Sequence, residues 1–317
     1  MRYYLAPLEG ITRYIMRNAY HRHFRPMDKY FAPFISPTQS LSFKHRELSD
    51  VLPENNQALP LVPQLLTNRS EAFLWAAKEL ADLGYEEVNL NLGCPSRTVV
   101  SRRRGAGFLA DPEELERFLE DVFDHWDGKV SIKTRLGMRD PEEWGRLIQI
   151  YNRFPLSELI VHPRLQTDYY KGVPDWEAYG QALQECKHPL CYNGDIFVPE
   201  DQKKLLEVFP QTDTIMLGRG ILCNPGLLDT MEDGGMPSVQ ELKAYLEDLC
   251  QGYAEIFSGE TNVLFKMKEI WCYLLFLFPE DAKLAKKIKK ADSLAEYREA
   301  VDVLLDQYEP VGRRFLF

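Results

Sequence analysis

The sequence predicts an α/β fold, a (β/α)₈ TIM barrel followed by a small C-terminal helical bundle. Eight short apolar runs alternate with amphipathic segments over roughly the first 220 residues, the strand number and size typical of such a barrel. The runs are bounded by Gly, Pro or charged residues, as strands buried on both faces should be. Beyond Ser238 only helical periodicity remains. A doubly wound open sheet is the alternative, because strand number alone does not establish closure.

The candidate strands share β-branched or apolar centres. In chain order they are residues 3–7, 30–35, 60–66, 87–93, 130–136, 158–164, 189–195 and 214–220. Helical patterns fill most gaps between them. One opens on Ser70 as an N-cap and closes at Gly84, two open on Asp-Pro (111–126 and 140–154), and a fourth covers 199–209.

The acidic, glycine-containing stretch at residues 229–237 predicts a linker. We therefore divide the chain into a barrel domain, 1–235, and a helical domain, 236–317. The second contains four helical patterns over about 80 residues, which is typical of a bundle.

Cysteine usage and hydropathy restrict the class of protein. The six cysteines form no CxxC pair and no Cys/His spacing suited to a metal, so we expect no metal site and a reducing compartment. The start "MRYYLAPLEG" lacks the apolar run of a signal peptide, and no run of about 18 apolar residues occurs. We expect a cytoplasmic protein, without membrane association and monomeric.

The net charge of −10 by itself disfavours a nucleic-acid partner. Two segments are nevertheless strongly basic, "SRRRG" at 101–105 and "KLAKKIKK" at 283–290. Local electrostatic fields, more than net charge, decide where an anion binds, so these two segments are compatible with an anionic partner.

Polar residues follow nearly every candidate strand, at the end where barrel active sites lie. The strand-end residues are Gln64, Asn89, Asn91, Cys94, Lys133, Arg135, His162, Arg164, Asn193, Asp195, Gly218 and Arg219. This cationic, amide-rich set suits a phosphorylated ligand with a hydrogen-bonding ring. Phosphate in barrels commonly binds after strands seven and eight, where "YNGD" and "LGRG" stand.

Several of these residues have simpler interpretations. Lys133 is compatible with a buried ion pair or with a Schiff base as in barrel aldolases, and His162 with a core histidine. The run at 101–105 is compatible with a solvated loop. Free cysteines are usually small buried hydrophobes. Cys94 differs because Gly93 and Pro95 lift it out of the strand into the loop above the barrel mouth, where a thiol donates a proton or acts as a nucleophile.

These motifs together resemble the tRNA-dihydrouridine synthases of the bacterial type, FMN-dependent reductases of uracil in tRNA. The matching segments, in the family's order, are "LAPLEGIT" (5–12), "PQL" (63–65), "NLGCPSRTVVSRRRGAGFL" (91–109), "SIKTRLG" (131–137), "VHPR" with "YYKGVPDW" (161–176), "YNGDI" (192–196) and "MLGRGILCNP" (216–225). The C-terminal helical region matches more weakly, through "KMKEIW" (266–271). Leu8 and Pro163 depart from the usual methionine and glycine, and neither change removes a reacting group.

The resemblance implies a role for each strand-end residue. FMN would be held by Pro7, Leu8, Gln64, Lys133, His162, Asn193, Asp195, Gly218 and Arg219. Cys94 would be the general acid, with the substrate-binding residues Asn91, Arg135 and Arg164. NADPH or NADH would reduce the flavin, tRNA would be the partner, and residues 236–317 would recognise it. RNA phosphates would meet basic residues at Arg97, Arg102, Arg103, Arg104, Lys171, Lys286, Lys287 and Lys290.

Two alternatives stay open at this point. One is an FMN barrel reductase acting on a free pyrimidine or another small enone, similar to dihydroorotate dehydrogenase, which leaves the helical domain unexplained. The other is a non-catalytic tRNA-binding relative, which the retained Cys94, Lys133 and His162 disfavour.

Overall fold

Nine parallel strands form one sheet in this computed structural model, which describes residues 1–315. The strands are β1 (Arg2–Leu5), β2 (Lys29–Phe31), β3 (Leu61–Val62), β4 (Gln64–Leu65), β5 (Glu87–Leu92), β6 (Lys129–Arg135), β7 (Glu158–His162), β8 (Leu190–Tyr192) and β9 (Thr214–Leu217). Strands such as β7 and β9 are buried at every position, which explains their unbroken apolar character.

The sheet order β3-β2-β1-β9-β8-β7-β6-β5-β4 returns to its starting point along the chain. The two end strands β3 and β4 are separated only by Pro63, which has no N–H to donate to a neighbour. They are therefore two halves of the third predicted strand, and the eight-stranded barrel is confirmed. The second predicted strand is similarly shortened before Pro33, and Ile35 then bridges to Leu65.

A partly buried ionic group lies at the amino ends of the strands. Lys29, Glu87 and Glu158 are each the first residue of a strand, and Lys29 Nζ lies 2.8 Å from Glu87 and 3.5 Å from Glu158. Tyr4 donates a hydrogen bond of 2.9 Å to Glu158. Between this group and the carboxyl ends lies an apolar cluster, made of Tyr4, Ala6, Phe31, Val62, Ile160, Cys191 and Met216.

Fourteen α-helices are formed within residues 1–315. They are α1 (Tyr14–His23), α2 (His45–Ser49), α3 (Ser70–Asp82), α4 (Arg97–Val100), α5 (Pro112–His125), α6 (Glu143–Tyr151), α7 (Trp176–Glu185), α8 (Pro199–Val208), α9 (Arg219–Cys223), α10 (Leu227–Asp233), α11 (Val239–Ile256), α12 (Glu260–Leu274), α13 (Ala282–Lys290) and α14 (Leu294–Gln307). Asp111 caps α5 as predicted, accepting from Glu114 N–H at 3.0 Å. Two helix starts differ from the prediction: Ser70 is the first residue of α3 rather than its cap, and α6 begins at Glu143, three residues after Asp140.

The chain forms two compact units. The first, the barrel unit, comprises Met1–Gly10, Asp28–Gly194 and Phe209–Met216. The second, the helical unit, comprises Ile11–Met27, Asp195–Val208 and the chain from Leu217 onward. In this unit α1 and the helices that follow the last two strands pack with the later helices, and the division into domains 1–235 and 236–317 stays a prediction. The role of 236–317 in tRNA recognition stays a prediction.

Candidate active site

The loop that carries Cys94 is shaped by the strand before it. Asn91 Oδ1 accepts hydrogen bonds from the N–H groups of Gly93 at 3.1 Å and Cys94 at 2.9 Å. This side-chain-to-backbone turn bends the chain sharply as β5 ends. Asn91 thereby fixes the backbone from which the thiol projects.

Three separate segments of the barrel unit hold the carbonyls of residues 93–95. Arg135 Nε donates to the first at 2.9 Å, Ala106 N–H to the second at 3.1 Å, and Gln166 Nε2 to the third at 3.1 Å. Each carbonyl of the loop therefore has its own donor. Such a loop is organised before any ligand arrives, which favours catalysis by a positioned group.

The Cys94 thiol is half-buried at this loop. Burial raises the pKa of the Cys94 thiol, while the Ser96 N–H and the Arg135 charge act in the opposite direction. The net result keeps the thiol protonated at neutral pH. The geometry therefore suits proton donation rather than a standing thiolate nucleophile.

Lys133 lies beside this loop on β6, in register with Asn91 on β5. Its Nζ would be 4.0 Å from a Cβ built on Gly93. Burial, followed by the charge of the neighbouring Arg135 guanidinium, lowers the pKa of Lys133 to about 8. Among residues 1–315, neither a carboxylate nor a hydrogen-bond acceptor pairs with Lys133 Nζ. The ion-pair interpretation of Lys133 is therefore not realised in the described chain.

His162 is 7% exposed and is held as a neutral ring. Its Nδ1 donates to the Asn193 carbonyl at 2.6 Å, which leaves Nε2 as the acceptor, 3.5 Å from Arg164 Nη1. Burial, followed by the charges of Arg135, Lys133 and Arg164, holds the pKa of His162 well below its usual value. The ring is thus an acceptor at Nε2, not an acid.

A ladder of buried side chains connects β4, β5 and β6. Asn91 Nδ2 donates to Gln64 Oε1 at 2.7 Å, Gln64 Nε2 to Asn89 Oδ1 at 2.8 Å, and Asn89 Nδ2 to Ser131 Oγ at 2.9 Å. Each amide donates a hydrogen bond to the next side chain, so the orientations of all three amides are fixed. Gln64 therefore presents a defined edge although it is fully buried.

Arg135 and Arg164 are almost completely buried, at 2% and 1% exposure. Arg135 donates to the carbonyls of Leu165 at 2.8 Å and Tyr169 at 2.6 Å, and Arg164 to two carbonyls further along the segment 165–172 at 3.1 and 2.8 Å. Tyr169 has φ of +52°, a left-handed conformation that these bonds stabilise. Both arginines hold this segment in place, and their predicted contact with substrate stays a prediction.

The remaining cofactor candidates of the barrel unit lie on strand ends. Pro7 and Leu8 are half-buried, and Leu8 packs against the apolar cluster inside the barrel. Asn193 donates to the Met216 carbonyl at 2.8 Å, which ties β8 to β9. These contacts hold the strand ends in place.

The predicted cofactor residue Asp195 and the predicted phosphate residues Gly218 and Arg219 belong to the helical unit. Gly218 immediately precedes α9, in which Arg219 is the first residue. Arg219 Nη2 donates to Asp195 Oδ1 at 2.6 Å, and its guanidinium lies 5.5 Å from the ring centre of Phe197 and 5.8 Å from that of Phe315. Arg219 is therefore held in one orientation.

The three consecutive arginines of the basic loop have different surroundings. Arg103 lies 3.7 Å from both Asp111 and Glu114. Arg104 Nε contacts Asn68 at 3.4 Å, and burial, then the charges of Arg102 and Arg69, lower the pKa of Arg104. Among the described residues, the Arg102 guanidinium has no carboxylate partner. Arg97 and Lys171 are likewise exposed.

The basic helix α13 belongs to the helical unit. Leu284 and Ile288 are buried, while the lysines occupy its exposed face. The exposed lysines are Lys283, Lys286, Lys287, Lys289 and Lys290. In the described chain none of them pairs with a carboxylate, so this face is a solvated band of positive charge.

Sequence reasoning did not single out Gly105. This residue has φ of +56°, and a Cβ there would lie 2.9 Å from the Cys94 carbonyl oxygen and 2.9 Å from Val99 Cγ1. The signal was present in "RRRGAG", since a glycine after a basic run can mark a close backbone approach.

We expect Gly105→Ala to lower the free energy of unfolding by about 2–3 kcal/mol, combining left-handed strain with overpacking. It should also change the rate at which Cys94 is alkylated. Gly84→Ala is the matched control, because Gly84 has φ of +95° but nothing within 4 Å of the added atom. Equal losses in denaturant titrations of the two variants would show that the contact with Cys94 is unimportant.

Within residues 1–315, no group of three or more His, Cys, Asp or Glu side chains could hold a metal ion. Nor is any helix of that part of the chain long and apolar enough to cross a membrane.

The fold and the site define a TIM-barrel enzyme with a protonated thiol and a buried cation at the carboxyl ends of its strands. Two solved structures share the fold. A variant of NCR from Zymomonas mobilis aligns with a TM-score of 0.51 and 14% identity, over 77% of this chain and 90% of that one. Morphinone reductase in complex with tetrahydroNAD aligns with a TM-score of 0.52 and 13% identity, over 76% and 89%.

The chain belongs to the dihydrouridine synthase (Dus) family, whose model matches residues 4–308. A probable tRNA-dihydrouridine synthase of Staphylococcus epidermidis is 26% identical, over 94% of this chain and 92% of the relative. The tRNA-dihydrouridine(16) synthase of Vibrio parahaemolyticus is 26% identical, over 98% of both. The probable tRNA-dihydrouridine synthase 2 of Bacillus subtilis is 29% identical, over 70% and 69%.

Proposed function

We propose that this protein reduces uridines of tRNA to 5,6-dihydrouridine with a flavin, FMN, as the redox cofactor. Membership of the dihydrouridine synthase family gives the reaction. The observation that carries it on this chain is the half-buried, protonated Cys94 thiol on a loop whose three carbonyls are all held. Reduction of a carbon–carbon double bond needs such a proton donor in addition to a hydride source.

The donor set fits a flavin. Lys133 is a half-buried cation beside the thiol loop with no acceptor in the described chain, and a charge partly removed from water is costly until something pairs with it. The anionic pyrimidine edge of a reduced flavin would supply that partner. When bound here, FMN would supply the hydride for carbon 6 of the uracil.

The other cofactor contacts extend this proposal. Gln64, His162 and Asn193 would contact the ring and ribityl groups of the flavin. The backbone of Pro7 and Leu8 would also contact the flavin. Asp195, Gly218 and Arg219 would hold the ribityl chain and the phosphate, a task for which a guanidinium held in one orientation is suited.

The chain's own residues then account for the second half of the reduction. Cys94 holds the proton destined for carbon 5, and Asn91 keeps the thiol loop bent toward the substrate. The one Asn91 N–H not used by Gln64 is the group we assign to the uracil. The target base must leave its stack to reach this site, at a cost of a few kcal/mol.

Three further assignments accompany the function. A reduced nicotinamide, NADPH or NADH, supplies the electrons and leaves before the RNA binds. The protein works as a monomer, and its place is the cytoplasm, where tRNA is modified.

The test uses tRNA from a strain that lacks the gene. The purified protein should be yellow, and with NADPH it should restore dihydrouridine to that tRNA, measured by mass spectrometry of nucleosides. A flavin-loaded protein that leaves the uridines unchanged while reducing a free pyrimidine would refute the assignment to tRNA.

RNA contact by the basic loop gives a separate prediction. We expect Arg102→Ala to weaken tRNA binding about three- to tenfold and to reduce the salt dependence of log Kd by about one phosphate contact. Arg103→Ala is the matched control, because Arg103 already faces Asp111 and Glu114 at 3.7 Å. Fluorescence anisotropy over a range of salt concentrations measures both. Equal effects of the two substitutions would contradict the prediction that Arg102, and not Arg103, contacts an RNA phosphate.

A further inference from the structure

The segment Val311–Phe315 lies along the turn that follows α12. Val311 N–H and Gly312 N–H both donate to the Leu277 carbonyl, at 2.8 and 3.0 Å. Arg313 N–H donates to the Phe276 carbonyl at 2.7 Å. The Arg313 side chain adds bonds to two more carbonyls of the same turn, at 2.6 and 3.1 Å. The segment is therefore anchored by its backbone and by an arginine.

Arg314 anchors it a second time, through an ion pair with Asp201 on α8. These anchors place the ring of Phe315 among other aromatic rings of the helical unit. Its centre lies 4.7 Å from that of Phe276, 5.6 Å from Tyr273 and 5.9 Å from Phe197.

Two of these rings also contact Arg219. The guanidinium carbon is 5.5 Å from the centre of Phe197 and 5.8 Å from that of Phe315, while Asp195 pairs with Nη2. The Arg219 side chain is only 11% exposed. Aromatic faces and a carboxylate thus restrict a side chain that otherwise has many rotamers.

We propose that Phe315 is a positioning residue for the cofactor phosphate: with Phe197, its ring holds the Arg219 guanidinium in the orientation that binds a phosphate monoester. This inference rests on the proposed function, in which Arg219 meets the phosphate of FMN. A guanidinium fixed in advance loses less freedom on binding than a mobile one, so the rings increase affinity without touching the ligand.

The inference gives the helical unit a second task. Phe315 is held by Phe276 and Tyr273, which belong to α12 and the turn after it. The C-terminal helices would then contribute to cofactor retention as well as to RNA recognition.

The test compares two flavins that differ only in the phosphate. Kd values for FMN and riboflavin are measured by quenching of flavin fluorescence on flavin-free protein, for the wild type and Phe315→Leu. We expect FMN to bind about five- to tenfold more weakly to the variant, with riboflavin affinity unchanged. Phe315→Tyr should restore FMN binding, since it keeps the aromatic face.

Phe265→Leu is the matched control, because Phe265 lies on α12 but is 61% exposed, and it should behave as wild type. Thermal unfolding verifies that each variant is folded. Equal weakening of FMN and riboflavin, or unchanged FMN binding in Phe315→Leu, would overturn the positioning role. Wild-type protein that binds neither flavin would instead overturn the proposed function, and this inference with it.

Discussion

Cys94→Ala should reduce the rate of uridine reduction by about 10²- to 10⁴-fold, the usual contribution of a positioned general acid. Flavin content and flavin reduction by NADPH should stay at wild-type values, because Lys133, Gln64 and His162 are not altered. The thiol is the residue whose burial keeps it protonated at the loop. Stopped-flow absorbance separates the two half-reactions, with tRNA added only after the flavin has been reduced.

Cys272→Ala is the matched control for that experiment. Cys272 is an exposed free cysteine on α12, so its loss removes a thiol without altering the barrel mouth. Wild-type turnover by Cys94→Ala, with the control unchanged, would remove the thiol from the mechanism.

Lys133→Met should abolish flavin retention and yet stabilise the flavin-free protein. The pKa of Lys133 in the folded protein is about 8, below its ordinary value of 10.5. The charged lysine therefore lowers the free energy of unfolding. The shift corresponds to a gain on the order of 3 kcal/mol in the free energy of unfolding of the variant near pH 7. Urea titration of flavin-free protein measures this gain.

The difference in stability between Lys133→Met and the wild type should depend on pH, in a direction that the lowered pKa of Lys133 determines. Between pH 8 and 10.5 the unfolded chain binds more protons at this lysine than the folded chain, so the wild type becomes more stable relative to the variant as pH rises. The variant's advantage is therefore complete below pH 8 and absent above pH 10.5. Lys129→Met, at the exposed start of the same strand, should show no such trend. A pH-independent difference between Lys133→Met and wild type would contradict the assigned cause.

Most of the barrel was predictable because parallel strands buried on both faces leave an unmistakable apolar run. The breaks in the second and third strands were not predicted, although Pro33 and Pro63 stand at them and cannot donate to a ladder. The packing of α1 and α8 with the later helices was not predicted either. It depends on which surfaces pack, and local periodicity carries no information about that.

The location of the site was predictable for a similar reason, since polar residues at successive strand ends converge in a barrel. The partners of those residues were not. Arg135 reaches carbonyls 42 and 34 residues away in the chain, and a backbone carbonyl has no signature in sequence. The separate surroundings of Arg102 and Arg103 likewise follow from where α5 begins relative to the basic loop.

The first 27 residues have a consequence for how the chain is made. β1 joins the barrel through β9, with Arg2 N–H bonded to the Asp213 carbonyl at 2.8 Å, and α1 packs on α11. Both partners leave the ribosome more than 200 residues after the segments they complete. β1 can pair with β2 soon after both are made, but its other edge and the face of α1 that packs on α11 stay uncovered through most of synthesis. A nascent chain stalled before β9 would therefore expose an unpaired strand edge.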